Sequence, residues 1–72
     1  MQIIPFQLTR EHVALCDLLK LTGLTQSGGQ SKAVIAAGEV RVDGVVDTRK
    51  TAKIRSGHVV EWQDTRIEIA GQ

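Results

Sequence analysis

Aromatic side chains are scarce in this 72-residue chain, which contains one Phe, one Trp and no Tyr. Proteins that bind single-stranded nucleic acid on a β-sheet stack successive bases on several aromatic rings. Phe6 and Trp62 could serve only one or two such places, so the composition excludes an extended base-stacking surface. We expect Trp62 to lie partly buried in the core.

Cysteine, proline and long apolar runs are also rare in the sequence. Cys16 is the single cysteine and cannot form a disulfide within the chain, which indicates a reducing compartment. No apolar run approaches the roughly 20 residues of a membrane span. Residues 1–10 lack the apolar segment and cleavage site of a signal peptide. These absences predict a cytoplasmic protein without a membrane partner.

The residue types needed for catalysis or metal binding do not form a recognisable site. His12 and Cys16 are four residues apart and could share a helix face as a base and a nucleophile. Nothing in the sequence supplies a third member or an oxyanion site. His12, Cys16 and His58 also lack the spacing of a metal-ligand pair. We therefore predict a non-enzymatic protein with no cofactor, no metal and no small-molecule substrate.

The first part of the chain predicts one strand followed by one helix. Apolar residues between positions 3 and 8 favour a short strand, and Pro5 places it at a sheet edge because proline donates no backbone hydrogen bond. Thr9 is the predicted N-cap of a helix over residues 10–21. Gly23 follows the helix as its stop. The apolar stripe that should face the core consists of Leu15, Leu18 and Leu19.

A second helix and a hairpin follow. Ser27 is the predicted N-cap of a helix that runs to about Ala37, and Gly38 ends it. After Gly38 the apolar period changes from helical to alternating. Residues 40–46 predict two valine-rich strands joined by an Asp43-Gly44 turn.

The last third of the chain predicts further strands. Residues 53–55 form a short alternating segment with Ile54 inward, and residues 58–62 and 65–69 predict two strands about a Gln63-Asp64 turn. Helices and strands are thus segregated along the chain. The sequence predicts one α+β domain over residues 1–72, in which two packed helices lie against a small, mostly antiparallel sheet.

Positive charge is concentrated in the middle of the chain, although the net charge is only +1. Residues 32–56 contain six Lys or Arg against three Asp or Glu, whereas residues 57–72 contain one against three. Such asymmetry indicates an oriented electrostatic surface. The densest part is residues 49–55, RKTAKIR, which contains four cations and no acid. This run suits phosphate binding, and equally a solvated edge strand that carries lysine against aggregation.

Two adjacent glycines stand at the predicted start of the second helix, within the stretch Ser27-Gly28-Gly29-Gln30. A helix N-terminus presents unpaired N–H groups and the positive end of the helix dipole, and glycines let a phosphate approach them closely. Lys32 lies one turn inside the helix. The alternative is an ordinary loop-to-helix junction, in which Ser27 caps the helix and the glycines supply flexibility or a bend. The spacing is not that of a P-loop.

These motifs, in this order, resemble one known family. Residues 15–46, LCDLLKLTGLTQSGGQSKAVIAAGEVRVDGVV, are similar to the RNA-binding domain named after small-subunit ribosomal protein S-four, also called the αL motif. The family pattern is a leucine-rich helix, Gly-Leu, a serine that opens a second helix, Ile-x-x-Gly, and Val-x-Val-Asn-Gly. Residues 53–60 resemble a later lysine-valine-x-x-Gly-Asp-x-Ile segment, so the likeness covers about residues 13–62. The Ser-Gly-Gly variant and the short length look most like the small stand-alone bacterial YbcJ-like branch.

The resemblance implies an RNA-binding surface built from the start of the second helix and the hairpin after it. Three positions depart from the family pattern. Ala14 and Gly28 stand where relatives often carry arginine, and Asp43 replaces the usual asparagine. The basic residues at positions 49 and 50 could compensate for the two neutral positions. The residues that the resemblance places on the surface are Ser27, Lys32, Arg41, Asp43 and Gly44.

Together these observations predict a ribosome-associated RNA-binding module that recognises structured RNA, such as ribosomal or transfer RNA, mainly through phosphate contacts. The alternative is a protein-interaction module with protein partners in a ribosome or RNA-processing complex, for which the acidic tail and an edge strand near Ile3 are suited. The predicted RNA-binding residues are Ser27, Gly28, Gly29, Gln30, Lys32, Arg41, Asp43, Gly44, Arg49, Lys50, Lys53 and Arg55.

Overall fold

A computed structural model describes residues 1–71. The domain predicted over residues 1–72 ends at Gln72, which lies outside the described residues. In chain order the elements are β1 (Gln2–Gln7), β2 (Val13–Ala14), α1 (Leu15–Leu21), α2 (Gly28–Ala36), β3 (Val40–Val42), β4 (Val45–Val46), β5 (Lys53–Ile54), β6 (Val59–Trp62) and β7 (Thr65–Ala70). Five strands form a sheet of order β1-β7-β6-β3-β4, and β2 pairs with β5 in a separate two-stranded sheet. The predicted α+β architecture is confirmed.

The first strand lies at an edge of the five-stranded sheet, as Pro5 predicts. It pairs in parallel with β7, and Pro5 stands opposite Glu68. The other neighbouring strands in this sheet are antiparallel. A parallel pair needs a long crossover, and here nearly the whole chain between β1 and β7 provides it. No local pattern in the sequence indicated this pairing.

The first helix is shorter than predicted, spanning Leu15–Leu21 rather than residues 10–21, and Thr9 is not its N-cap. The preceding two residues form β2 and pair with β5. The first two helical N–H groups donate to the carbonyls of Ala52 and Lys50, at 2.9 and 3.0 Å. A distant segment therefore satisfies donors that a side-chain cap would otherwise bind, and the helix begins where this pairing ends.

This later start separates His12 from Cys16. His12 precedes α1, so the two side chains do not share a helix face. Cys16 is a free cysteine, buried in the apolar core, where it acts as a small hydrophobic residue. Among residues 1–71, no group of three His, Cys, Asp or Glu side chains is placed to hold a metal ion.

The core lies between the two helices and one face of the five-stranded sheet. Leu15, Leu18 and Leu19 are fully buried, which confirms the predicted stripe of α1. Gly23 and Gly38 follow the two helices with φ of 81° and 78°, the left-handed conformation of a helix stop. Within the described part of the chain, no helix is long and apolar enough to cross a membrane. The remaining large buried side chains include Ile35, Val40, Ile54, Val60, Trp62, Ile67 and Ile69.

Candidate nucleic-acid interface

The start of α2 is capped by its own sequence. Ser27 is extended (φ −149°, ψ 162°), and its Oγ accepts the N–H of Gln30 at 3.1 Å, so the predicted cap is confirmed. The side-chain Oε1 of Gln30 accepts the N–H of Gln26 at 2.8 Å, which ties the loop to the first helical turn. Because the cap uses the N–H of Gln30, the N–H groups of Gly28 and Gly29 are the donors left at the helix start.

Neither of these glycines is required by its surroundings. A Cβ at Gly28 would have no neighbour within 4 Å, and one at Gly29 would meet only the Ser27 Oγ, at 3.8 Å. Neither residue has a positive φ, so the backbone does not form a bend that only glycine could adopt. Space and conformation would therefore accept a side chain at both positions. Because neither residue has a side chain, no Cβ limits how closely an anion can approach the backbone here.

Two buried hydroxyl groups fix the start of α2 against the rest of the core. Thr25 and Ser31 are 3% and 0% exposed, and their hydroxyl groups are hydrogen-bonded to each other. The Ser31 Oγ donates to the carbonyl of Ser27 at 3.1 Å, and the Thr25 N–H donates to the carbonyl of Leu19 at 3.2 Å. The pair therefore links α1, the connecting loop and the first turn of α2. No local pattern in the sequence indicates this role of Thr25.

Four of the predicted basic residues are exposed and take part in no ion pair among residues 1–71. Lys32 lies on α2, Arg41 on β3, Lys50 before β5 and Lys53 on β5. Arg41 stands opposite Glu61 in the register of β3 and β6. These four cations keep their donors available to an anionic ligand.

The other two predicted cations are engaged within the protein. The Arg49 side chain donates to both carboxylate oxygens of Asp47, and its backbone N–H donates to Oδ1 at 2.9 Å. These hydrogen bonds lower the pKa of Asp47 and raise the pKa of Arg49. Arg55 donates from Nη1 to the Glu11 Oε1 at 2.8 Å, which lowers the pKa of Glu11. Half of the cations in the basic run are therefore neutralised by acids outside it.

The Asp43-Gly44 turn has φ values of 53° and 82°, as the predicted tight hairpin requires. The Asp43 Oδ1 accepts the N–H of Val59 at 2.9 Å, and Oδ2 lies 2.6 Å from Nδ1 of His58. The hydrogen bond from the Val59 N–H lowers the pKa of Asp43 most, and the hydrogen bond with the His58 side chain lowers it further. The carboxylate therefore attaches the hairpin turn to the start of β6. Sequence reasoning missed His58, which is 15 residues away.

The aromatic residues offer little stacking surface. Trp62 is 8% exposed, and its Nε1–H donates to Glu39 Oε1 at 3.2 Å, so its predicted place in the core is confirmed. Phe6 is half-buried against the core.

Comparison with known proteins decides the family. The S4 domain model matches residues 6–70. The chain belongs to the S4 domain family. The family resemblance inferred from the sequence is thus confirmed. The match extends beyond residues 13–62 and includes the end of β1 and the whole of β7.

Relatives of this chain include proteins from two bacteria. "Putative RNA-binding protein YbcJ" of Escherichia coli (strain K12) is 50% identical over 58 residues, which cover 81% of this chain and 83% of that protein. "Probable ribosome maturation protein RlbA" of Bacillus subtilis (strain 168) is 37% identical over 57 residues, covering 79% of this chain and 80% of that protein.

A solved structure shares the fold. The solution structure of YbcJ from E. coli, described as revealing an αL motif involved in RNA-binding, superposes with a TM-score of 0.74 at 44% identity. The superposition covers 97% of this chain and 90% of YbcJ. The predicted likeness to the YbcJ-like branch is confirmed.

Proposed function

We propose that this chain is a non-catalytic, cytoplasmic RNA-binding module that recognises structured RNA, of the ribosomal or transfer type, mainly through phosphate contacts. The observation that carries the proposal is the start of α2, where the Ser27 cap uses the N–H of Gln30 and leaves the N–H groups of Gly28 and Gly29, two residues without a side chain. N–H groups at a helix start, together with the helix dipole, favour an anion such as a phosphate.

The unpaired cations supply the attraction for the rest of the RNA backbone. Arg49 and Arg55 are already paired with carboxylates, so we assign them a weaker role than the other predicted cations. Gln30 keeps its side-chain Nε2 for a polar contact, since its N–H and Oε1 are used by the cap. The direct phosphate ligands that we propose are the N–H groups of Gly28 and Gly29 and the side chains of Lys32, Arg41, Lys50 and Lys53.

Structured RNA suits this surface better than an extended single strand. Recognition of single strands depends on aromatic stacking platforms, and here Trp62 is buried and Phe6 half-buried. The αL motif of YbcJ is described as involved in RNA-binding, and RlbA is named for ribosome maturation. YbcJ thus supports RNA as the partner, and RlbA supports an RNA of the ribosome or its assembly.

The salt dependence of binding tests the proposal. We would titrate a transfer RNA and a ribosomal RNA hairpin at several salt concentrations, with an unstructured single strand of the same length as the control. If about four phosphates are contacted, the logarithm of the binding constant should fall with a slope near −3 to −4 against the logarithm of salt. A flat response, or equal binding of the unstructured strand, would contradict the proposal.

A protein-interaction module remains the second candidate. The observation that favours it is β1, a strand at the sheet edge whose Ile3 side chain is 55% exposed. Such an edge can pair with a strand of another protein. Pull-down before and after nuclease treatment separates the two functions, because partners that survive the nuclease are held by protein contact.

A further inference from the structure

His58 is attached to the hairpin that the proposed RNA surface includes. Its Nδ1 lies 2.6 Å from the Asp43 Oδ2, and its side chain remains 35% exposed. The backbone is held on both sides, because the His58 N–H donates to the carbonyl of Arg55 and the His58 carbonyl accepts the N–H of Ile69. The contact with Asp43 orients the imidazole and leaves Nε2 as its remaining ring nitrogen, which carries a proton to donate when the ring is an imidazolium.

Asp43 is the acid that faces this imidazole. The other charged side chains near it come from the segment after β5 and from β7, and both have partners. Arg55 is paired with Glu11 at 2.8 Å. Glu68, which stands opposite Val59 in the register, lies 3.7 Å from Arg66. The charge of the hairpin turn thus depends on the state of the Asp43–His58 pair.

We propose that His58 is a further RNA-contacting residue, whose protonated imidazole is oriented by Asp43 and donates its Nε2–H to an RNA phosphate. The inference rests on the proposed RNA-binding function and deepens it by linking binding to the uptake of one proton. With a neutral imidazole the pair carries the full negative charge of Asp43 and repels the RNA backbone. With an imidazolium the pair is neutral and offers a charge-assisted donor.

The carboxylate keeps its negative charge throughout this change. The Val59 N–H and the His58 side chain lower the pKa of Asp43, so its titration lies below the range in which histidine titrates. An asparagine at this position could not stabilise an imidazolium through a charge, so the aspartate is the part of the pair that favours protonation of His58.

The test measures affinity for a transfer RNA and a ribosomal RNA hairpin from about pH 5.5 to about pH 8.5 at constant ionic strength. We expect the wild-type protein to bind roughly tenfold more tightly at the acidic end, since one linked proton changes the binding constant by up to tenfold per pH unit. His58→Gln should bind with little pH dependence. His12→Gln is the matched control, because it removes the other histidine of the chain and should keep the wild-type profile.

Two further measurements keep the test decisive. Thermal unfolding at each pH shows whether a variant has lost its fold. If His58→Gln has, Asp43→Asn takes its place, and this variant should bind RNA more tightly than the wild type at the alkaline end and show a flatter dependence of affinity on pH. Calorimetry in two buffers of different ionisation enthalpy should show proton uptake for the wild type. A pH-independent wild type, or a folded His58→Gln variant with the full profile, overturns the inference while the RNA-binding function stands. Failure of the wild type to bind at any pH contradicts the proposed function as well.

Discussion

The guanidinium of Arg49 donates from Nε and Nη2 to the two carboxylate oxygens of Asp47, at 3.0 and 2.8 Å. Its neighbour Lys50 is exposed and takes part in no ion pair within residues 1–71. Two adjacent cations that look equivalent in the sequence therefore differ in what they can offer to a phosphate, since Arg49 already binds a carboxylate through Nε and Nη2, which offsets its charge.

This difference predicts different effects of neutralising the two residues. Lys50→Gln should reduce the salt slope of RNA binding by about 0.7 to 0.9, the loss of one phosphate contact. Arg49→Gln should leave the slope nearly unchanged, although it also removes one positive charge. Titrating both variants across the same salt series checks this, and equal slopes for the two would contradict it.

The buried Thr25–Ser31 pair predicts a coupled loss of stability. Ser31→Ala should lower the free energy of unfolding by about 1–3 kcal/mol, because it leaves a buried hydroxyl without its partner. Thr25→Val should have a similar effect. The double variant should lose less than the sum of the two, since no orphaned hydroxyl remains. Urea denaturation measures all three, and strictly additive losses would show that the pair is not coupled.

The lowered pKa values of Asp43 and Asp47 predict loss of stability in acid. A carboxylate whose pKa is lower in the folded state binds fewer protons than in the unfolded state, so its contribution is complete above about pH 5, well above the ordinary pKa of Asp, and is lost as pH falls through the lowered value. The urea midpoint should therefore fall between about pH 5 and about pH 2.5. The Asp43→Asn/Asp47→Asn variant should show a shallower decline, and an unchanged curve would contradict the assignment.

The parts of the fold that the sequence predicted correctly depend on local signals. The Asp43-Gly44 turn, the Ser27 cap and the leucine stripe of α1 each arise from residues a few positions apart, whose conformational preferences agree with the final structure. Asp-Gly favours the positive φ values of a tight turn, and a serine before two glycines and a glutamine favours a helix start.

The parts that were missed depend on segments distant in sequence. Residues 10–14 have no local signal against a helix, but Val13 and Ala14 pair with β5, some 40 residues later. Tertiary pairing thus overrides local propensity. The contacts of Arg55 with Glu11 and of His58 with Asp43 are separated by 44 and 15 residues. No periodicity or motif identifies such partners. Because Arg49 is paired with Asp47 and Arg55 with Glu11, the basic run has two cations without an ion pair among residues 1–71, rather than four.

The proposed function depends above all on a phosphate bound by the N–H groups at the start of α2, and Gly28 is the position at which to test this contact. Both Gly28→Asp and its neutral matched control Gly28→Asn fit the open space at this position. An acidic side chain suits a helix N-terminus, so unfolding stability should change little in either variant.

The deciding measurement is the affinity of the two variants for the same structured RNA at moderate salt. We predict that Gly28→Asp binds roughly tenfold more weakly than the wild type, a loss of about 1.4 kcal/mol, because its carboxylate occupies the site and repels the phosphate. Gly28→Asn adds a side chain of the same size without the charge, so it should lose clearly less affinity than Gly28→Asp. A folded Gly28→Asp protein with wild-type affinity would contradict the claim.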